Sequence, residues 1–248
     1  MSVWLTDLGD ILRKAHVPVK EMVYQQGKRK GMHWSKVGFN NRGLTEFRGI
    51  MWHHDASPPG DSPGALAWCM YYANDGGYDL TPAAHIWVDR YGTWWIYAAG
   101  LSNHAGRGSS ALAPNNTGNQ FYLGIETDHG MNEPWPNAQL DSLRVGTAAI
   151  MRAYNLDPMK ALEFHKTYAP GRKPDPDGLE LSEERKIVDR IIDTSDENGK
   201  GVSRIRRRIR SWRRKRDQIR ASGRRKGLPT VRKRLRELNQ KLKKVTGK

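Results

Sequence analysis

One cysteine, Cys69, stands in 248 residues. A single thiol excludes an internal disulfide and any zinc module built on several cysteines. It lies in Leu66-Ala-Trp-Cys-Met-Tyr-Tyr72, an apolar stretch that reads as helix, so Cys69 reads as a buried thiol and not as a nucleophile. Long apolar runs are missing as well: no stretch approaches the roughly 20 residues of a membrane-spanning helix. The first ten residues carry Asp7 and Asp10 where a secretory leader needs a basic and then an apolar segment. The chain is therefore expected to be made in the cytoplasm as a soluble protein. Acidic residues are scarce in one region only. Residues 200–248 hold 22 Lys or Arg against Asp217 and Glu237, whereas residues 1–199 hold 20 basic and 24 acidic side chains. The net charge of +16 thus belongs to a basic tail on a mildly acidic body long enough to bury a full core.

What the body does contain is a dense stretch, His165-Lys-Thr-Tyr-Ala-Pro-Gly-Arg-Lys-Pro-Asp175. Pro170 and Gly171 force a turn, and Pro174 pushes Lys173 towards an extended conformation. An imidazole, a lysine and a carboxylate on a stiff loop suit a borderline cation such as zinc, with one position left for water. A polar loop with a stray histidine is the alternative. A second histidine follows the apolar run Ile50-Met-Trp52, which reads as a buried strand ending at His53. A third apolar run, Phe121-Tyr-Leu-Gly-Ile-Glu126, carries a carboxylate at its end.

These residues resemble a known family. The His53-His54-Asp-Ala56 strand end, the Gly-Ile-Glu126 strand and the H-x-x-x-A-P-G-R-K-x-D motif are similar to the zinc-dependent N-acetylmuramoyl-L-alanine amidases of the amidase-2 type. That group includes phage lysins, bacterial anhydro-muropeptide amidases and peptidoglycan recognition proteins. The resemblance covers roughly residues 44–190. It implies one zinc ion on His53, His165 and Asp175, with Glu126 and Lys173 as the catalytic pair. Glu126 would move a proton from the attacking water to the departing amine, and Lys173 would stabilise the oxyanion. Many relatives have cysteine where Asp175 stands. The short phage amidases carry a catalytic tyrosine where this chain has Ala84, so that role is expected to fall on Glu126. The resemblance also implies peptidoglycan as substrate, cut between N-acetylmuramic acid and L-alanine. His104 is the leading substrate contact, with a solvated loop histidine as the alternative. His85 borders the substrate or is a buried structural histidine, and Asn119 binds substrate or helps to order the site. His54 and Asp55 are read as structural support for His53.

Periodicity fills in the rest. A helix is expected over 3–15 and an irregular or hairpin segment over 24–44, whose Tyr24, Trp34 and Phe39 either line a glycan groove or merely connect. A helix over 63–74 and a strand pair around Asp89-Arg-Tyr-Gly92 should follow. Then come a long amphipathic helix over 137–154, a strand over 161–164 and a helix from Ser182. This alternation argues for an α/β or α+β domain, a central mixed sheet flanked by helices. The organisation expected is an N-terminal segment (1–43) packed on the body, a catalytic domain (44–195), a linker (196–202) and a basic tail (203–248). The tail carries two apolar stripes, from Val202 to Ile219 and from Val231 to Val245, joined by a Gly-Pro turn, and so reads as a basic helical hairpin. Anionic polymers of a cell envelope are its expected partner; nucleic acid or anionic lipid would satisfy the charge alone. A phage endolysin released onto the wall through membrane holes fits all of this. A non-catalytic peptidoglycan-binding protein on the same fold, or a nucleic-acid-binding protein acting through the tail, are the alternatives.

Overall fold

Three short apolar runs form the middle of a six-stranded sheet in the order β1-β6-β5-β7-β2-β8. These strands are β1 (Val19–Glu21), β2 (Gly49–Trp52), β5 (Ile86–Val88), β6 (Trp94–Ile96), β7 (Tyr122–Thr127) and β8 (Leu162–Phe164); β3 (Asn74–Asp75) and β4 (Tyr78–Asp79) pair separately. The computed structural model describes residues 2–58, 62–72, 74–75, 78–194, 219 and 228–246. Within the sheet β5 and β6 pair antiparallel and every other pair is parallel. The sheet is mixed, as the sequence implies. Parallel strands are covered on both faces and so read as continuous apolar runs, which is what Gly49–Trp52 is; Leu162–Phe164 is likewise buried at every position, with Glu163 between its two apolar residues.

Two compact units are present, Met1–Asp189 and Arg190–Lys248. In the first, the helices are α1 (Leu8–Lys14), α2 (Ser62–Ala67), α3 (Gly118–Phe121), α4 (Asn137–Ala153), α5 (Pro158–Ala161) and α6 (His165–Tyr168), and α7 spans Leu181–Thr194. α4 packs on the sheet through Leu143 and Ile150, both fully buried. Trp52 Nε1 donates to Thr147 Oγ1 at 3.0 Å and Trp94 Nε1 to Ser142 Oγ at 3.0 Å. Gly146 on α4 leaves the space that the Trp94 ring fills. Burying a side chain such as Leu143 or Ile150 contributes roughly 1.5–3 kcal/mol.

The N-terminal segment is part of the sheet, with β1 as its edge strand beside β6. α1 starts at Leu8, later than the expected residue 3, because Val3 pairs with Leu44 and Leu5 N donates to Ala99 O. The expected helix over 63–74 is α2 followed by a π-helical turn, Trp68–Tyr72. Residues 24–44 form short 3₁₀ turns. Tyr24 and Trp34 are buried there, with Tyr24 Oη donating to Tyr97 O at 3.0 Å, so these two rings build core and do not line a glycan groove.

In the second unit the helix Leu228–Thr246 starts with Pro229 in its first turn. Val231, Leu235 and Leu238 are buried in a cluster with Ile219, and Arg232, Lys233, Arg234 and Arg236 are exposed. The linker expected over 196–202 and, apart from Ile219, the first tail helix lie outside the described residues. No helix among the described residues is long and apolar enough to cross a membrane.

Candidate active site

Strand register places three residues at one level. Trp52 pairs with Ile125 on one side and with Phe164 on the other. The residues that follow, Glu126, His53 and His165, therefore stand side by side at the carboxyl ends of β7, β2 and β8. Side chains alternate along a strand, so equal level gives equal face. His53 is pinned through its peptide: its N donates to Ile125 O at 2.9 Å and its O accepts from Thr127 Oγ1 at 2.7 Å. The loop after α6 turns at Gly171, whose φ of 75° lies in the left-handed region that glycine tolerates. It brings Asp175 back beside His165, with Lys166 N donating to Asp175 O at 2.6 Å.

The side chains converge. His53 Nδ1 lies 2.8 Å from His165 Nδ1, and Asp175 Oδ2 lies 2.9 Å from His165 Nδ1 and 3.3 Å from His53 Nδ1. All three residues are buried, and one ligand atom from each lies within 4.8 Å of the others. Glu126 Oε1 is 3.8 Å from His53 Nδ1, and its buried Oε2 has no hydrogen-bond partner among the described residues. Lys173 is half-buried in the loop, where its charge acts on both Glu126 and His53.

Burial, reinforced by repulsion from Asp175 and Asp55, pushes the Glu126 carboxyl well above its usual range, and Lys173 only partly offsets this. Burial and then the neighbouring His165 ring lower His53 to about 4, so it is neutral at neutral pH, the state that ligates metal. Burial opposes ionising Asp175, but the two imidazoles beside it outweigh burial and hold its carboxyl far below the usual range.

The donor set fits a divalent metal. His165 Nε2 lies 2.9 Å from Ala105 O, which can only accept, and 3.3 Å from Arg172 Nη2; a ring proton directed from Nε2 at Ala105 O leaves the Nδ1 lone pair to a cation. That lone pair, the nitrogen of a neutral His53 and an ionised carboxylate face one another at hydrogen-bond distance. Such a set holds a cation, and two neutral imidazoles with one carboxylate are ligands of the kind zinc takes.

Of the three residues expected at the substrate, His104 and His85 are buried and Asn119 is half-buried. His104 is buried behind His53, its Nδ1 3.0 Å from His53 Nε2 and its Nε2 3.0 Å from Tyr122 O. Both ring nitrogens are engaged by protein, one of them by His53. His85 is fully buried, its Nδ1 accepting from Gly124 N at 3.0 Å, which matches the structural alternative. Asn119 Oδ1 accepts from His104 N at 3.0 Å and from Ala105 N at 2.8 Å, so its side chain orders the loop. Asp55 supports the strand end as expected: Oδ2 accepts from Trp87 Nε1 at 2.7 Å and Oδ1 from Ser57 N at 3.0 Å. His54 stacks on His129, with ring centroids 5.8 Å apart.

Sequence reasoning missed Ala105, Gly124 and Arg172. Ala105 contributes a carbonyl and Gly124 an absence of side chain, neither of which leaves a mark in residue chemistry. Arg172, inside the motif, braces the same loop by donating to Ala105 O at 2.7 Å and Arg107 O at 2.6 Å.

Several solved structures are similar to this chain. A selenomethionine derivative of AmpD is 21% identical over 61% of this chain and 92% of that one, with a TM-score of 0.46. The endolysin N-acetylmuramoyl-L-alanine amidase LysCS from Clostridium intestinale URNW is 20% identical over 69% and 95%, with a TM-score of 0.44. The Staphylococcus aureus hydrolase AmiA, solved with its ligand, is 15% identical over 75% and 90%, with a TM-score of 0.46. No curated protein matches the sequence significantly. The N-acetylmuramoyl-L-alanine amidase family model matches residues 43–178, more than half of the chain and all of the converging residues, and this chain therefore belongs to that family.

Proposed function

We propose that this protein hydrolyses the amide bond between the lactyl group of N-acetylmuramic acid and L-alanine of the peptidoglycan stem peptide, with one zinc ion held by His53, His165 and Asp175. The observation that carries the reading is the convergence of two imidazole nitrogens and a carboxylate oxygen beside Glu126, whose buried Oε2 has no hydrogen-bond partner among the described residues. When bound there, zinc supplies Lewis acidity that brings the pKa of a water down to about 7.

The chain's own residues do the rest. Glu126 takes the proton of the attacking water and returns it to the departing amine nitrogen. Its raised proton affinity suits it to both halves of that transfer, and such general acid–base catalysis is worth about 10²- to 10⁴-fold. The Lys173 ammonium opposes the charge that develops on the carbonyl oxygen, a contribution of order 3 kcal/mol for donors of this kind. With alanine at position 84, no tyrosine shares the proton transfer.

The basic tail anchors the enzyme to anionic polymers of the cell envelope. What supports this is the described part of the helix Leu228–Thr246, which turns Val231, Leu235 and Leu238 inward and leaves Arg232, Lys233, Arg234 and Arg236 in solvent. Clustered basic charge on an amidase suits an endolysin that is made in the host cytoplasm and reaches the wall at lysis.

The test is to incubate purified walls with the protein and to assay new free amino groups against new reducing ends. Amino groups alone are expected, abolished by a chelator and restored by zinc. Reducing ends would assign a glycosidase, and neither product would leave a binding protein on the amidase fold.

A further inference from the structure

We infer that His104 is a positioning residue that fixes the tautomer of His53, and that the two-residue stretch His104-Ala105 presents both histidine ligands to the metal through Nδ1. The inference rests on the metal reading above and adds a residue to it. The Tyr122 carbonyl can only accept, so the proton of a neutral His104 sits on Nε2, 3.0 Å away. His104 Nδ1 is then an acceptor, and the hydrogen bond to His53 at 3.0 Å takes its proton from His53 Nε2. His53 Nδ1 is left bare on the side of His165 and Asp175. Ala105, the next residue, sets His165 the same way through its carbonyl at 2.9 Å.

Something must do this, because the site itself favours the wrong tautomer. The Asp175 carboxylate lies 3.3 Å from His53 Nδ1 and 2.9 Å from His165 Nδ1, and would draw a ring proton onto either nitrogen in the absence of metal. A proton there blocks the lone pair that the cation needs. The relay from His53 through His104 to Tyr122 holds the proton on the far side of the ring.

The relay is built with little freedom. Asn119 Oδ1 accepts from the backbone N of both His104 and Ala105. Gly124 has no side chain where the His104 ring lies against β7; a Cβ there would stand 2.7 Å from His104 Nδ1. Partners behind a ligating histidine of this type typically set metal affinity by 10- to 100-fold.

The experiment compares the full-length wild type with His104→Gln, which can accept from His53 and donate to Tyr122 as the imidazole does, and with His104→Phe, which can do neither. Zinc affinity is read by competition with a chelator of known affinity. The expected result is a loss of roughly 10- to 100-fold for H104F, with H104Q much nearer the wild type. In parallel, ¹⁵N–¹H correlation spectra of the metal-free proteins report the tautomer of His53. Nε2–H is expected in wild type and H104Q, and Nδ1–H in H104F. Wild-type zinc affinity in H104F, or Nδ1–H on His53 in the wild type, would overturn the inference. Should H104F fail to fold, the wild-type spectrum and the H104Q affinity still decide it. A wild type that binds no zinc but shows Nε2–H on His53 would sink the metal reading and leave the relay standing.

Discussion

Glu126 Oε1 stands 3.8 Å from Nδ1 of His53, too far for a hydrogen bond and close enough to touch a molecule held at that nitrogen. Its other oxygen has no hydrogen-bond partner among the described residues. A carboxyl with one oxygen buried and unpaired beside this cluster is poorly explained by stability, since burial without a partner costs free energy. The geometry suits proton transfer. Glu126→Gln keeps the shape and removes the base, so kcat on a soluble muropeptide should fall by about 10²- to 10⁴-fold with zinc affinity retained. Loss of zinc binding together with activity would reassign Glu126 from proton transfer to metal binding.

Metal binding should appear as stability. A ligand that binds only the folded chain adds RT ln(1 + [L]/Kd), about 2.7 kcal/mol at one hundred times Kd. Zinc should therefore raise the thermal midpoint of the wild type and a chelator should lower it. Asp175→Ala should abolish that difference, because it removes the oxygen beside both imidazoles. A zinc-dependent midpoint surviving in D175A would place the ion elsewhere.

The parts of this site that could be read from sequence are those whose chemistry is local. The strand ends at His53 and Glu126 were legible because a parallel strand buried on both faces is a short apolar run, and the Asp175 loop because Pro and Gly restrict backbone whatever surrounds them. The position of His104 was not legible. Its partner His53 is 51 residues away, and the decisive contacts are a Tyr122 carbonyl and the bare Cα of Gly124. A histidine in a Ser-Asn-His-Ala-Gly loop looks solvated until the fold packs it under β7. The late start of α1 has the same origin, since the backbone of Val3 and Leu5 pairs with Leu44 and Ala99, whose positions no local pattern reveals.

The contact between Gly124 and His104 can be tested for itself. A methyl group at 124 overlaps the His104 ring, so Gly124→Ala should destabilise by about 1–3 kcal/mol, the usual range for overpacking. His104→Ala empties that space. The double variant should be less destabilised than the sum of the singles, and urea unfolding of all four proteins measures the coupling. Additive effects would mean that the ring does not lie on Gly124.

The tail should behave as a separable electrostatic anchor. Removing residues 200–248 should leave hydrolysis of a soluble muropeptide unchanged while weakening lysis of whole walls. Retention of the full chain on walls should fall steeply as salt rises, because exposed charges are screened within about 10 Å at 0.1 M. Equal loss on both substrates would contradict this division of labour. Retention on DNA or on anionic vesicles, but not on walls stripped of protein, would assign the tail to one of those partners.

His85 makes a prediction about acid. Burial, opposed only by hydrogen bonds to backbone, lowers this imidazole to about 3 from its ordinary value of 6.5. Between those two values the unfolded chain binds a proton at this residue and the folded chain does not. Stability is therefore highest above pH 6.5 and falls as pH is lowered through the window towards 3, by up to about 1.4 kcal/mol per pH unit for this one group. His85→Asn can still accept from Gly124 N but cannot take up the proton. It should cost some stability at pH 7 through lost packing and yet show a shallower decline between pH 6 and 4. Urea unfolding at matched pH values reads both quantities, and an unchanged slope would mean that His85 protonates as readily in the fold as in the free chain.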